Sequence, residues 1–150
     1  MTPPDLRLLL PRDPSRYEGP RLALWFMAGY NVVATVRSLV HVFAPDSGAG
    51  SIAGMDTAVA GGQNAVALLA QWGGLQLLMA LGIWLVLWRY RGFVPLAIAA
   101  SMLDNIGRVV IGLGKPLVTE HAPPGDLSRL VAPLCLVLLV VSLLPTRRGG

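Results

Sequence analysis

The stretch LALWFMAGYNVVATVRSLVHVF, residues 22–43, is long and apolar, yet it contains an arginine, Arg37. A second stretch, FVPLAIAASMLDNIGRVVIGLG at residues 93–114, contains Asp104 and Arg108. Each stretch is long enough to cross a bilayer as a helix, which takes about 20 residues. A charge inside such a helix costs roughly 3 kcal/mol of insertion free energy, so it usually faces inward and is paired. These two stretches predict a membrane protein with a buried polar site.

The composition of the 150-residue chain agrees with this interpretation. It is 54% hydrophobic and 13% charged, against roughly 25% charged residues in soluble domains. The net charge is +4, but most of the basic residues flank apolar segments and none form a stripe interleaved with aromatic residues, which argues against a nucleic-acid partner. The single cysteine, Cys135, excludes a disulfide framework within the chain and a cysteine-rich metal site.

Four apolar segments predict an all-α fold, an integral membrane four-helix bundle. Each element that crosses a bilayer must satisfy its own backbone hydrogen bonds, which favours helices. The predicted helices are 22–43, 65–88, 93–114 and 127–144, between a polar N-terminal segment at 1–21 and a short tail at 145–150. The four tryptophans lie toward the ends of these segments, as in an aromatic belt: Trp25, Trp72, Trp84 and Trp88.

The basic residues that flank the helices predict the orientation. Eight arginines belong to the N-terminal segment, the link between the second and third helices, and the tail, whereas the other two connections hold only Lys115 and Arg129. By the positive-inside rule, both termini are cytoplasmic in a multi-pass protein of the inner (cytoplasmic) membrane. The outer loop at 44–64 is long for a structureless connection, and two interpretations stay open for it, a lid over the bundle and a flexible connector.

Helical periodicity collects the polar residues on faces that point into the bundle. On the third helix Asp104 and Arg108 are spaced i, i+4 with the acid first, the favourable order for an ion pair. On the first helix the polar arc lies opposite an apolar arc that we expect to face lipid. Depth places Gln71 in the same layer as the arginines and Gln76 nearer the middle. The predicted ligand-binding residues are Arg37, His41, Gln71, Asp104, Asn105 and Arg108.

The charges in this predicted layer do not cancel, because Arg37 and Arg108 face only Asp104. An uncompensated buried charge is expensive, so Asp46 folds inward from the outer loop, water enters, or an anionic group binds there. The preferred hypothesis is an outward-facing pocket for an anionic or quinone-like ligand, in a binding or accessory subunit of a membrane complex. Two alternatives stay open: a small proton-coupled transporter, and a structural subunit whose polar layer only joins helices.

No catalytic motif is present: the chain has no Walker-type loop, no G-x-S-x-G, no H-E-x-x-H and no CxxC. One acid within the bundle is too few for a paired-carboxylate mechanism, so the sequence does not support enzymatic activity. It predicts no catalytic or metal-binding residues and identifies no cofactor. The lipid bilayer is the predicted partner, and association with other membrane proteins or with further copies of the chain stays open.

The layout resembles that of the small DoxX-like membrane proteins and of the uncharacterised four-helix bacterial families near them. The similarity covers residues 21–144 and consists of four short helices, a polar first helix and an RYRG link at 89–92 before a polar third helix. It implies a four-helix membrane fold. DoxX itself is associated with quinone-linked oxidation, but no shared catalytic motif assigns a role to any residue of this chain.

Overall fold

The computed structural model describes residues 3–120 and 123–146, and these ranges are helical without any strand. The four α-helices are α1 (Arg21–Phe43), α2 (Gly62–Arg89), α3 (Val94–Gly114) and α4 (Ser128–Ser142). Short 3-10 turns at Arg91–Phe93 and Pro124–Leu127 lead into α3 and α4, and another at Leu6–Leu9 precedes α1. The prediction of an all-α fold with four helices is confirmed. All four are long and apolar enough to cross a membrane when α3 and α4 are counted with the turns before them, as Arg91–Gly114 and Gly125–Ser142.

The helices pack as two pairs, α1 with α2 and α3 with α4, and contacts between the pairs are sparser. The bundle has two distinct ends. The terminal end holds residues 3–20, the link between α2 and α3, and residues 143–146. The loop end holds the connection at 44–61 and the residues at 115–120 and 123–127. Gly73 of α2 lies so close to His41 of α1 that a Cβ at this glycine would overlap the histidine Cβ, and this contact sets the rotation of α2 against α1.

A closed apolar core fills the half of the bundle near the terminal end. Met27, Val94 and Ile98 are fully buried there. The remaining members of the cluster are Ala23, Ile83, Ala97, Cys135 and Leu138. The opposite face of α1 is exposed, as its spacing predicts: Val32, Val33, Val36, Leu39 and Phe43 all point away from the bundle. A bundle that buries its polar arc and exposes its valines has the pattern expected of helices surrounded by lipid.

Residues 3–20, which we call the strap, fold back across the terminal end. The backbone N–H of Asp5 donates to Leu143 O at 2.9 Å, and the N–H of Gly92 donates to Pro14 O at 2.8 Å. The N–H and hydroxyl of Thr146 both donate to Glu18 O. The strap therefore connects the start of the chain to both the α2–α3 link and the end of α4.

The loop at 44–61 is folded into turns at the other end. The carboxylate of Asp46 accepts hydrogen bonds from the backbone N–H groups of Ser51 at 2.7 Å and Gly48 at 2.9 Å. These bonds lower the pKa of Asp46 to about 2. The two loops also meet, because Glu120 N–H donates to Gly54 O at 2.9 Å. Asp46 thus serves the loop backbone rather than the arginines inside the bundle.

Candidate functional site

The most polar part of the bundle interior lies toward the loop end, and its central ion pair is the one predicted from the spacing on α3. Arg108 donates through Nη2 and Nε to Asp104 Oδ2, at 2.6 and 3.0 Å. The side chain of Arg108 is 14% exposed and that of Asp104 is 25% exposed. The pair is therefore largely removed from the surroundings of the bundle, and its predicted i, i+4 geometry is confirmed.

Arg37, on α1, has no carboxylate partner among the residues that the structure describes. Its Nη2 donates to Gln76 Oε1 at 2.9 Å, and its Nε is buried without a hydrogen-bond partner. One carboxylate, Asp104, thus stands against two guanidinium groups. The layer keeps an excess positive charge, as the sequence predicts.

Trp72 of α2 brings the two arginines together. The guanidinium carbon of Arg108 lies 4.6 Å from the centroid of the Trp72 ring, and that of Arg37 lies 5.7 Å from it. Both distances are within the range of a cation–π interaction. The sequence predicts Trp72 in an aromatic belt, whereas the structure places it inside the charged layer. Trp25 and Trp88 do have the exposed positions expected of a belt.

His41 connects this layer to the loop at 44–61. Its ring centroid lies 5.3 Å from that of Trp72, and its Nδ1 lies 2.7 Å from Ser47 O. A carbonyl oxygen only accepts, so Nδ1 is the protonated nitrogen in this contact. Ser47 itself is buried and adopts a left-handed backbone with φ of 51°. His41 therefore links the loop at 44–61 to the charged layer.

Four of the six predicted site residues come together here: Arg37, His41, Asp104 and Arg108. Gln71 does not join them, because its side chain is exposed on the other side of α2. Five residues correspond to about 140° around a helix, so Gln71 and Gln76 cannot share a face. The Gly73–His41 contact turns Gln76 inward, where only 6% of it is exposed.

Asn105, the sixth predicted residue, lies beside the charged group, but its hydrogen bonds go to residues outside that group. Its Nδ2 donates to the hydroxyl of Tyr30 at 2.9 Å and to the carbonyl of Ser101 at 2.8 Å. It therefore joins α3 to α1 rather than orienting an arginine. Sequence reasoning missed Gln76 and Trp72 as members of the group. In the structure, the buried residues of α2 at 73, 76, 80 and 83 follow a helical spacing, and Gln76 lies on this inward face.

A cavity of about 10 Å³ lies beneath Arg37, which is space for about one water molecule. Its lining includes three residues with buried polar atoms that lack a protein partner, Arg37 Nε, Gln76 Nε2 and Asn31 Oδ1. The amide orientations follow from chemistry. Gln76 must turn its oxygen to the arginine, and Asn31 must turn its nitrogen to Ala80 O, 3.0 Å away. Hydrogen-bonding capacity thus stays unused at this position.

Another set of polar residues joins α1 to α2 and holds no charge. Trp84 Nε1 donates to Thr35 Oγ1 at 3.0 Å, while the Thr35 hydroxyl donates to Asn31 O at 2.6 Å. With the Asn31–Ala80 bond, these contacts fix the register of the two helices. The polar layer therefore has two parts, one that joins helices and one, around Arg37 and Arg108, whose charge is unbalanced.

Across residues 3–120 and 123–146, no group of three or more His, Cys, Asp or Glu side chains is arranged to hold a metal ion. No family model matches the chain, and no curated protein or solved structure matches it. The resemblance to DoxX-like proteins therefore stays a prediction that rests on the order of helices and polar segments.

Proposed function

We propose that this chain is a multi-pass protein of the cytoplasmic membrane with both termini in the cytoplasm. Four apolar helices and their exposed valine and leucine faces support the membrane location. The orientation rests on the arginines, eight at the terminal end and in the adjoining tail against two basic residues in the other connections. In this orientation the charged layer lies in the outer half of the membrane.

The function that the geometry supports best is the binding of an anionic group by Arg37 and Arg108, in a binding or accessory subunit. The observation that carries it is the single carboxylate for two largely buried guanidinium groups. Removing an unpaired charge from water is costly, and a bound anion offsets that cost. Arginine suits the task because its planar donors match carboxylate and phosphate oxygens in pairs.

The shape of the site narrows the ligand and its route. The cavity of about 10 Å³ has room for about one water molecule, so a carboxylate or phosphate group would have to widen it and a quinone ring would have to widen it far more. The apolar core of Met27, Val94 and Ile98 closes the way to the terminal end. The ligand therefore enters from the loop end, past His41 and Trp72. Access from one side favours binding over proton-coupled transport.

Native mass spectrometry of the protein in mild detergent, combined with extraction of bound lipids, tests this function. The wild-type protein should retain an anionic molecule, and Arg37→Ala should lose it while still inserting into membranes. Gln71→Ala is the matched control, since this exposed glutamine lies on the opposite side of α2 from Gln76. Equal retention by wild type and Arg37→Ala contradicts the proposal. A folded wild type without any ligand supports the structural alternative, in which the layer only joins helices.

A further inference from the structure

The terminal end carries a dense group of exposed arginines outside the charged layer. In the part of the chain that the structure describes they are Arg7, Arg12, Arg16, Arg21, Arg89 and Arg91. Each of the three carboxylates of the strap contacts a residue two positions away in the sequence. Asp5 accepts from the backbone N–H of Arg7, Asp13 accepts from Ser15, and Glu18 lies 3.9 Å from Arg16. Most of these guanidinium groups therefore face outward without a carboxylate partner.

Exposed apolar side chains lie among these arginines. Leu6 is 70% exposed and Leu10 is 72% exposed, on either side of Arg7 in sequence. Trp25 near the start of α1 and Trp88 near the finish of α2 also lie at the terminal end, and they are 75% and 79% exposed. Leucine and tryptophan next to arginine are the residues of a segment that lies in the interface of a membrane. An acidic protein surface would match the arginines alone, whereas a lipid surface matches both the arginines and the exposed leucines.

The arginines of the strap have defined positions, because its backbone encloses Gly92. A Cβ at Gly92 would lie 2.9 Å from Pro14 O and 3.0 Å from the carbonyl oxygens of Asp13 and Arg16. These distances are too short for any residue other than glycine. Gly92 also donates its N–H to Pro14 O. The strap and the α2–α3 link therefore present their arginines as one surface rather than as a mobile charged tail.

We propose that the strap, together with Arg89 and Arg91, is a docking surface for the head groups of anionic phospholipids. The leucines and tryptophans enter the interface, and the guanidinium groups bind the lipid phosphates at the same depth. This surface is distinct from the anion site in the bundle, and it rests only on the membrane location of the helices. In a cell the partner is the anionic leaflet that the terminal end faces.

Quenching by brominated lipid in reconstituted vesicles measures this association, because Trp25 and Trp88 lie at the proposed surface. The probe is brominated phosphatidylglycerol diluted into phosphatidylcholine, with brominated phosphatidylcholine as the reference. We expect wild-type quenching to exceed the value set by the mole fraction of the anionic lipid, and to fall with added salt. Equal composition in both leaflets makes the result independent of the orientation of the protein.

Two variants separate a built surface from net charge alone. Arg7→Gln/Arg12→Gln should lower the relative association of phosphatidylglycerol by about fivefold for each arginine. Gly92→Ala keeps every arginine but displaces the strap, so it should also lower the enrichment. Arg129→Gln, an exposed charge at the loop end, and Gly107→Ala, where a Cβ meets open space, are the controls and should leave it unchanged.

Wild-type quenching that merely follows the bulk mole fraction overturns the proposal. So does full enrichment in the Arg7→Gln/Arg12→Gln protein, because the anionic lipid would then associate without these arginines of the strap. Full enrichment in a folded Gly92→Ala protein would show that the strap has no part in it. If Gly92→Ala does not fold, Leu6→Ser/Leu10→Ser replaces it, since these exposed side chains are not needed for the core. Loss of enrichment there supports the surface, and unchanged enrichment overturns it.

Discussion

The two halves of the bundle are built on opposite principles. Near the terminal end, Met27, Val94 and Ile98 are fully buried and pack with other apolar side chains. Toward the loop end, the interior contains Arg37, Asp104 and Arg108, and it retains donors and an acceptor without protein partners. The half near the terminal end is filled by closely packed apolar side chains, whereas the half toward the loop end holds charged side chains and a small cavity. The apolar packing is thus concentrated in one half of the bundle and the charged side chains in the other.

Removal of a core side chain should have the largest effect. Ile98→Ala removes a fully buried group from the apolar half, so we expect a loss of about 2–5 kcal/mol in the free energy of unfolding. Leu103→Ala on the same helix is the control, because this leucine is 63% exposed, and its effect should stay within about 0.5 kcal/mol. Denaturant titration in mild detergent measures both. Similar effects for the two variants would contradict the assignment of this half as the stabilising core.

Gly73→Ala should come next, because it attacks the closest contact between α1 and α2. The added methyl group would overlap His41 Cβ, so the helices must separate, at a cost of about 1–3 kcal/mol. Gly74→Ala, where a Cβ meets open space, should be neutral or raise stability by up to about 1 kcal/mol. Unfolding of the two variants side by side is the test. A stable Gly73→Ala protein with unchanged Trp72 fluorescence would mean that this contact does not set the helix rotation.

The partnership of Arg37 with Gln76 gives the sharpest contrast with the apolar half. Gln76→Leu leaves the guanidinium of Arg37 without its hydrogen bond and should lower the free energy of unfolding by about 1–3 kcal/mol. Arg37→Met/Gln76→Leu removes both partners and should restore or exceed wild-type stability. A thermodynamic cycle of the two single variants and the double variant measures the coupling. Additive losses in the double variant would show that Arg37 stabilises the fold rather than serving a ligand.

The loop at 44–61 should show the smallest and most local effect, and one that depends on pH. The folded pKa of Asp46, about 2, lies below its ordinary value of 3.8, so the carboxylate stabilises the loop above pH 3.8. That contribution is lost as the pH falls through about 2. Amide exchange at Gly48 and Ser51, corrected for the intrinsic rate, should therefore show protection at pH 4 that disappears near pH 2.

Asp46→Asn should weaken this protection at pH 4, where the wild-type carboxylate is ionised, without unfolding the bundle. Asp56→Asn is the matched control, because Asp56 accepts only from Ala58 N–H in the same loop. Equal protection in the wild-type and Asp46→Asn proteins would show that other contacts order the loop.

Most of the fold could be predicted from the sequence, because it depends on length and periodicity. The first helix, predicted at 22–43, is observed at Arg21–Phe43, and the third, predicted at 93–114, is observed at Val94–Gly114. The ion pair of Asp104 and Arg108 is local to one helix, so its spacing alone determined it. The folded strap was not predicted. Its hydrogen bonds join backbone groups that are far apart in sequence, and such bonds leave no pattern of side chains in the sequence.

The second helix shows why the site was predicted only in part. The polar residues of α2 lie on more than one side of the helix, so the sequence alone allows either Gln71 or Gln76 to face inward. The choice between Gln71 and Gln76 is made by a contact with another helix, Gly73 against His41, which has no signal within the periodicity of α2. Trp72 was missed because a tryptophan in the outer part of an apolar segment suits both an interface and a buried site.

The strap joins the two helix pairs to each other at the terminal end. Three backbone hydrogen bonds join the strap to the α2–α3 link and the end of α4, whereas among the described residues of the two loops one such bond, from Glu120 to Gly54, joins the α1–α2 side to the α3–α4 side. Backbone hydrogen bonds thus join the two helix pairs mainly at the terminal end, which acts as a clasp. Elsewhere the pairs meet through side chains, such as Asn105 with Tyr30 and Arg108 with Trp72. Any separation between them widens toward the loop end, directly above Trp72 and the two arginines. A small angular motion about the clasp would then enlarge the charged layer without disturbing the apolar core.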